Sequence, residues 1–288
     1  MKRIIILIPV FNDWESLENL LFGIEENIKD IKDFKFDCYV INDASTANIS
    51  LKIKTKKIRT LKILNMRKNK GHARCNAFGI RYVCQNEKFD YLILMDGDGE
   101  DRAVEIKSMV NKIQSDPNSS VVAKRVKRSE GLFFKFLYQM HKLITLSFTG
   151  KNINFGNYSC LTKKDANIIS SKPSLWSSYS GTVKKFVKNF NEINSTRGLR
   201  YFGPSKMSFI KLLIHSLSIV AVFKLQVILR SFIIICALYF SNFLNQTIEN
   251  TTYFLLIIFN LIIFLISLRE SEKDLINSQN NLSSIDDK

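Results

Sequence analysis

An unbroken apolar run, Ile4 to Val10, follows Lys2-Arg3 and stops at Phe11-Asn12-Asp13. Its start resembles a leader peptide, but it ends in polar residues with no small-residue cleavage site, so it predicts a buried strand. Asn12 or Asp13 can cap a helix from about Trp14, with Leu17, Leu20, Leu21 and Ile24 on one face. The alternation then repeats. Strands are predicted at Cys38–Ile41, Leu61–Leu64, Tyr91–Met95 and Ser120–Ala123, and helices at about His72–Cys84 and Ala103–Ile113. Strands alternating with helices predict a mostly parallel α/β sheet. The polar clusters Asn12-Asp13, Asn42-Asp43 and Asp96–Asp98 fall at the carboxyl ends of these strands, where such sheets bind their ligands.

From about Ser205 the pattern changes. Phe209, Leu212, Leu213, Leu217, Val220 and Phe223 share one helical face, with Lys206, Lys211, His215 and Lys224 around it, as in an amphipathic helix at an interface. Two apolar segments follow, Val227–Leu244 and Thr251–Leu268, each reaching roughly 27 Å as a helix and so predicting a membrane hairpin. Arg230, one turn inside the first segment, can snorkel to the headgroups. The connecting loop lacks Lys and Arg, whereas Lys206, Lys211, Lys224, Arg230, Arg269 and Lys273 flank the pair; the positive-inside rule then puts both ends, and the α/β body, in the cytoplasm. The expected organisation is a catalytic domain over 1–199, a juxtamembrane segment over 200–226, a transmembrane hairpin over 227–268 and a polar cytoplasmic tail over 269–288.

Composition narrows the classes. The chain has 288 residues, 46% hydrophobic, with only 11 Gly and 4 Pro, which excludes disordered and collagen-like proteins. A formal charge of +16 would suit nucleic acid or a membrane surface; the uncharged apolar stretch behind a basic body favours the membrane, and no aromatic-basic RNA motif or helix-turn-helix pattern is present. Five scattered cysteines show no CxxC or Cys/His ligand spacing, so neither a disulfide framework nor structural zinc is expected. The oligomeric state, a homo-oligomer included, is left open.

The sharpest chemical signal is Asp96-Gly97-Asp98-Gly99-Glu100-Asp101, directly after the apolar YLILM. Four carboxylates so close repel one another unless a cation or solvent compensates them. An EF-hand loop is excluded because its sixth position would be Asp101, where Gly is needed, and its twelfth Lys107, where Glu is needed. A D-x-D pair can hold Mg²⁺ or Mn²⁺ through hard oxygens, with Gly97 and Gly99 allowing close approach of a diphosphate. On these residues alone an exposed, solvated acidic turn fits as well.

With Pro9-Val10-Phe11-Asn12-Asp13, Ile41-Asn42-Asp43-Ala44-Ser45 and Asn69-Lys70-Gly71-His72-Ala73-Arg74, the D-x-D turn resembles glycosyltransferase family 2 of the GT-A fold, a Rossmann-like nucleotide-diphospho-sugar transferase fold. Within it the chain resembles polyprenyl-phosphate sugar transferases such as dolichol-phosphate mannose synthase. The resemblance covers roughly 3–125 and returns at Arg200-Tyr201-Phe202-Gly203-Pro204-Ser205-Lys206. It implies that Pro9, Phe11 and Asp13 lie beside the nucleotide, that Asn42 and Asp43 meet base or ribose, and that Lys70, Gly71 and Gly97 belong to the donor side. It further implies that Asp96 and Asp98, with Glu100, hold the metal and diphosphate. Asn42, Ala44 and Glu100 depart from the usual Asp, Gly and Gln.

The same resemblance places the segment from Lys124 to Arg128 beside the acceptor, where Arg125 and Arg128, with Arg200, Ser205 and Lys206, would bind its phosphate. By itself this basic stretch equally fits a solvated or headgroup-facing helix. Family members acting on sugar hydroxyls supply an Asp base, whereas here the stretch reads Asn154-Phe155-Gly156-Asn157-Tyr158-Ser159. A lipid phosphate is already anionic and needs no base. His72 could meet phosphate, and His141 and His215 read as ordinary helix-face residues. The expected function is therefore a membrane-anchored, metal-dependent, inverting glycosyltransferase acting on a polyprenyl phosphate, with Asp96, Asp98 and Arg125 carrying catalysis. The alternatives are transfer to a glycan or glycolipid hydroxyl in cell-envelope polysaccharide synthesis, with Asp101 as a candidate base, or an inactive membrane-tethered binding protein on the same fold.

Overall fold

Strands β1 (Lys2–Val10), β2 (Phe34–Asn42), β3 (Ile58–Met66), β4 (Tyr91–Leu94), β5 (Ser120–Lys127), β6 (Phe155–Thr162), β7 (Phe190–Thr196) and β8 (Leu282–Asp287) build one sheet. Their spatial order is β7-β5-β6-β4-β1-β2-β3-β8. The structure is a computed structural model that describes residues 1–49, 51–53, 55–127, 132–203, 208–241 and 245–288. β1 pairs in parallel with β2 and β4, β2 with β3, and β5 with β7, while β6 and β8 run antiparallel to their neighbours. The expected α/β class is thus the observed one.

The doubly apolar reading of β1 has a direct cause. Ile4, Ile6 and Ile8 enter the core formed with α1 (Trp14–Ile28) and α3 (Glu105–Ser115). Ile5 and Leu7 enter the opposite core, formed with α2 (His72–Asn86), α5 (Lys163–Ser170) and α6 (Tyr179–Phe186). Helices covering both faces leave no solvated side, so alternation is replaced by a continuous apolar run.

At the amino end of the strands, Asp37 is fully buried and accepts hydrogen bonds from Arg3 Nε at 2.5 Å and from Arg59 Nε and Nη2 at 3.0 and 2.7 Å. Glu87 beside it pairs with Arg3 at 3.0 Å and Lys62 at 3.1 Å.

Helix α4 (Leu132–Thr149) follows β5, and α7 (Phe209–Ala221), α8 (Lys224–Ser241) and α9 (Gln246–Ser267) follow β7. Asn245 caps α9 by accepting from the amides of Thr247 and Ile248. Of the described helices, α9 is long and apolar enough to cross a bilayer; α8 meets that test only together with α7, from which it is bent by 82°. A hairpin of two equivalent spans, expected from the sequence, is therefore not what the described residues show. The cause is the break after Ala221, where the chain turns into α8 and buries Val220, Ala221 and Val227 against Ile263 of α9. Arg230, expected to snorkel, instead donates to the Ser147 carbonyl at 2.9 Å and packs its guanidinium on Gly150, tying α8 to the end of α4.

The polar tail is not a loose appendage. Helix α10 (Glu272–Ile276) and a 3₁₀ turn (Asn277–Asn281) lead into β8, which pairs antiparallel with β3 from Lys62↔Asp287 to Met66↔Leu282. Its alternation was too short and polar to read as a strand, and the partner that orders it lies some 220 residues upstream, at Asn65–Asp286.

Candidate active site

Three strand-end loops meet above the carboxyl edge of β1, β2 and β4. After β1, Asn12 takes a left-handed backbone (φ 50°), and its Oδ1 accepts from the amides of Thr46 at 2.8 Å and Ala47 at 3.0 Å. After β2, Asn42 is buried; its Nδ2 donates to Asn65 Oδ1 at 2.8 Å, and its Oδ1 accepts from the Ser45 amide at 2.9 Å. The Asn42 and Asp43 side chains, expected at base or ribose, are thus engaged within the protein. Asp43 accepts from the amides of Lys70 and Gly71, both at 2.8 Å, so one carboxylate sets the loop before α2. Ala44 also sits at positive φ, 58°, which is why Gly is the easier residue there. Gly97 passes against β1 so closely that a Cβ would stand 3.0 Å from the Pro9 carbonyl. Phe11 is 40% exposed at the lip of this edge.

The carboxylate turn follows β4. Asp96 Oδ1 lies 2.8 Å from His72 Nε2 and accepts from Asn157 Nδ2 at 3.3 Å. Burial opposes ionisation of Asp96, yet His72 and Arg125 outweigh it and hold the carboxylate well below its usual range. Burial likewise works against a charged His72, but Asp96, with Asp98 and Asp101 behind it, raises its pKa. Asp98 is pushed up to about 6 by burial and then by the charges of Asp96 and Glu100. Asp101 accepts the Asp96 amide at 2.9 Å and is pushed up to about 8, by burial and by Asp96.

The turn is not exposed, as the sequence suggested, because the chain after β7 lies across it. Arg197 pairs with Glu100, the Gly198 amide donates to the Glu100 carbonyl at 2.8 Å, and the Tyr201 amide donates to the Asp98 carbonyl at 3.0 Å. The Tyr201 ring closes over Gly99 (φ 88°), where a Cβ would come within 2.5 Å of it. Arg200 bridges two carboxylates, with Nη2 2.6 Å from Asp13 and Nη1 2.7 Å from Asp98.

Two residues with expected ligand roles have protein partners in this structure. Arg200, expected at the acceptor phosphate, is paired with Asp13 and Asp98. Glu100, expected as a metal ligand, has its carboxylate taken by Arg197. Arg128, Ser205 and Lys206 lie outside the described residues. Arg125 packs over Gly156, where a Cβ would stand 2.5 Å from its guanidinium, and its charge reaches Asp96. Asn157, the position lacking a carboxylate, is itself at Asp96.

His215 on α7 lies within electrostatic range of His72, Asp96, Arg125 and His141 on α4. His215 on its helix is thus within reach of the site's charges, while His141 lies against Thr145 of its own helix.

Asp96 and Asp98 are hard oxygen donors that the chain can offer a divalent cation; the upward push on Asp98 comes first from burial and then from the negative charge of Asp96 and Glu100, which a cation would relieve. Among the described residues no group of three His, Cys, Asp or Glu forms an all-protein metal cage. Two carboxylates completed by substrate phosphate oxygens is the set that Mg²⁺ commonly takes, so the residues fit such an ion.

Residues 5–175 match the family described as glycosyl transferase family 2. An uncharacterized protein of Methanocaldococcus jannaschii is 29% identical over 122 residues, 41% of this chain and 49% of that protein. The match thus spans about half the length of that curated relative. Among solved structures, glucosyl-3-phosphoglycerate synthase from Mycobacterium tuberculosis, in complex with Mn²⁺, UDP-glucose and phosphoglyceric acid, superposes with a TM-score of 0.55 at 12% identity, covering 78% of this chain and 80% of that one. A mannosyltransferase from Pyrobaculum calidifontis, in complex with GDP-mannose and Mn²⁺, gives 0.51 at 12% identity, covering 98% of this chain and 76% of that one.

Proposed function

Because this chain belongs to glycosyl transferase family 2, we propose that it moves a sugar from a nucleoside-diphosphate donor to a polyprenyl phosphate at the cytoplasmic face of a membrane. The observation that carries the donor half is the Asp96/Asp98 turn, half-buried, with Asp96 and Glu100 bearing on Asp98, and flanked by the loops after β1 and β2. Pro9, Phe11, Asp13, Lys70, Gly71 and Gly97 line the donor side, with Asn42 and Asp43 bracing the loops. Asp96 and Asp98 would hold a divalent cation, as Mg²⁺ or Mn²⁺; when bound it neutralises the charge of the leaving diphosphate. The solved relatives with Mn²⁺ and a nucleotide sugar support this reading.

The acceptor half is supported by placement. Arg125 and Asn157 stand at Asp96, and α7 begins seven residues after Phe202, in the stretch that leaves the site. Phe209, Ile210, Leu212 and Leu213 are exposed on α7, and α9 is apolar from Tyr253 to Ile266 but for Asn260. A phosphate held at headgroup depth can meet Arg125 there. Its oxygen forms the bond to the anomeric carbon as the bond to the diphosphate oxygen breaks, the electron pair leaving with the nucleoside diphosphate. In-line attack inverts the anomeric centre, and no proton need be removed.

Asp101, pushed up to about 8, is the observation that favours transfer to a sugar hydroxyl instead, since a carboxylate of that pKa can act as a base. Its burial and its bond to the Asp96 amide argue for a bracing role. Membranes incubated with labelled nucleotide sugars, extracted with organic solvent and treated with mild acid distinguish the readings. Acid-labile labelled lipid supports the phosphate acceptor; label in an acid-stable glycan supports the hydroxyl acceptor; donor neither transferred nor hydrolysed points to an inactive binding protein.

A further inference from the structure

The folded tail builds something besides an edge strand. Between the loop that follows β3, the 3₁₀ turn at Pro173–Trp176 and the segment from α10 to Asn281 lies a cavity of 310 Å³. Arg67, Lys68, Lys70, Trp176, Asp274 and Asn281 are among the residues that line it. Its walls are fixed by short backbone links. The Arg67 amide donates to the Asn281 carbonyl at 2.7 Å, and the Lys68 amide to Asn281 Oδ1 at 3.1 Å. Asn281 Nδ2 returns a bond to the Lys68 carbonyl at 2.9 Å. Arg67 Nε is anchored on the Leu282 carbonyl at 3.2 Å, which holds the guanidinium at the rim.

The charge of this cavity is unbalanced. Three cations face one carboxylate, Asp274, and among the described residues no carboxylate forms an ion pair with Lys68, Lys70 or Arg74. Arg74 stacks its guanidinium 5.8 Å from the centre of the Trp176 ring, behind the cavity. Burial and the charge of Arg269 both act against Arg74, and Asp274 offsets them only in part. Arg67, Lys68 and Lys70 are exposed and gather positive charge around the cavity without matching anions, which leaves a favourable place for an anion to bind.

We propose that this cavity is a second anion site, separate from the Asp96/Asp98 turn, and that it takes a phosphate ester. Several cations around a small space suit a multiply charged oxyanion better than a single carboxylate, and guanidinium groups match phosphate oxygens in pairs. The site stands where a lipid headgroup could supply that phosphate, because Arg269 directly follows the apolar α9 and Asp274 to Asn281 come next in the chain. A soluble phosphate ester offers the same chemistry. Occupation would reach the donor loop through Lys70, whose amide holds Asp43.

Trp176 supplies the readout, since the chain has two tryptophans and the other, Trp14, is buried against the Ala47 carbonyl on the far side of the sheet. The full chain carrying Trp14→Phe, in neutral phosphatidylcholine nanodiscs at fixed ionic strength, is titrated with inorganic phosphate, and separately transferred to discs containing phosphatidylglycerol. Should Trp14→Phe fail to fold, fluorotryptophan resonances of the otherwise unaltered chain report the same event. A saturable response is expected, weakened about tenfold by Lys68→Glu and strengthened a few-fold by Asp274→Asn, the opposite signs being a signature of charge rather than packing. Asp98→Asn should bind as the parent does. No transfer reaction is measured, so the result stands apart from the proposed activity. Response to inorganic phosphate in neutral discs assigns a soluble ester, and response only in anionic discs assigns a headgroup. No saturable response in either, or one that neither charge variant moves, overturns the proposal.

Discussion

The two ends of the sheet bury carboxylates in opposite ways. At the amino end, Asp37 meets Arg3 and Arg59, Glu87 meets Arg3 and Lys62, and both acids are held below their usual pKa although burial pushes them up. At the carboxyl end, Asp98 and Asp101 are pushed up, because burial there is compounded by neighbouring negative charge. Backbone strain divides in the same direction. Asn12, Ala44, Gly71 and Gly99 all have positive φ, and all stand after the carboxyl ends of strands. A cluster whose charges are matched within the protein holds the fold together; one left with excess charge and strain is poised for a ligand. The sequence displays both sets of carboxylates and gives no sign of which is compensated.

The strongest way to break this comparison is to neutralise one acid at each end. Asp98→Asn should lower transfer by about a thousandfold or more while shifting unfolding stability by no more than about 1 kcal/mol, because its charge is disfavoured in the fold and needed only for the metal and diphosphate. Asp96→Asn should lose turnover similarly, and EDTA should do the same to the unaltered chain. Steady-state transfer and urea unfolding measured together check this. Retained activity in EDTA, or collapse of the Asp98→Asn fold, would show the two ends to be alike.

Asp37→Asn should give the reverse, a stability loss of about 3 kcal/mol with turnover per folded molecule unchanged, since it leaves Arg59 beside a neutral partner and Arg3 with Glu87 alone. The pH dependence has a defined sign. The native pKa of Asp37 lies below its unfolded value of about 3.9, so its contribution is complete well above that pH and is lost as pH falls through the native pKa. The gap between variant and parent should therefore be full at neutral pH and shrink in acid below about pH 4. A gap that widens in acid would contradict the matched character of this end.

The difference between the ends also explains what could be read in advance. The loops after β1, β2 and β4 carry their polar residues within a few positions of an apolar run, so pattern alone put Asn12, Asp43, Asp96 and Asp98 on one edge. Their partners are remote: Arg200 is 187 positions from Asp13, 102 from Asp98, and Asn157 is 61 from Asp96. No local periodicity encodes such distances. The tail fails for the same reason, because β8 is a strand only by virtue of the β3 edge beside it. Helix ends were shifted by a residue or two, as with α3 starting at Glu105 instead of Ala103, where capping and packing decide.

Arg200→Ala sharpens the comparison from within the carboxyl end. Removing the guanidinium leaves Asp13 and Asp98 unanswered, at a cost of about 2 kcal/mol in metal-free buffer. Saturating Mn²⁺ should reduce that loss, because a cation on the same carboxylates substitutes for the missing charge. The check is thermal unfolding of parent and variant with EDTA and with Mn²⁺. An identical loss in both buffers would mean that Arg200 braces the turn mechanically and that the excess charge has no bearing on metal.

The smallest effect expected is in the backbone. Ala44 is held at φ 58°, a conformation costing an L-residue roughly 1–2 kcal/mol, whereas glycine adopts it without steric penalty but loses more freedom on folding, roughly 0.5–1 kcal/mol. Ala44→Gly should therefore stabilise the chain by about 0.5 kcal/mol, a rise of about 1–2 °C in Tm. The Asp43 carboxylate beside it, bonded to the amides of Lys70 and Gly71, should keep its place, so donor affinity should stay near that of the parent. A differential scan with the two chains run side by side resolves a shift of this size. A fall in Tm would place the strain elsewhere than in Ala44 and remove backbone conformation from what distinguishes the two ends of the sheet.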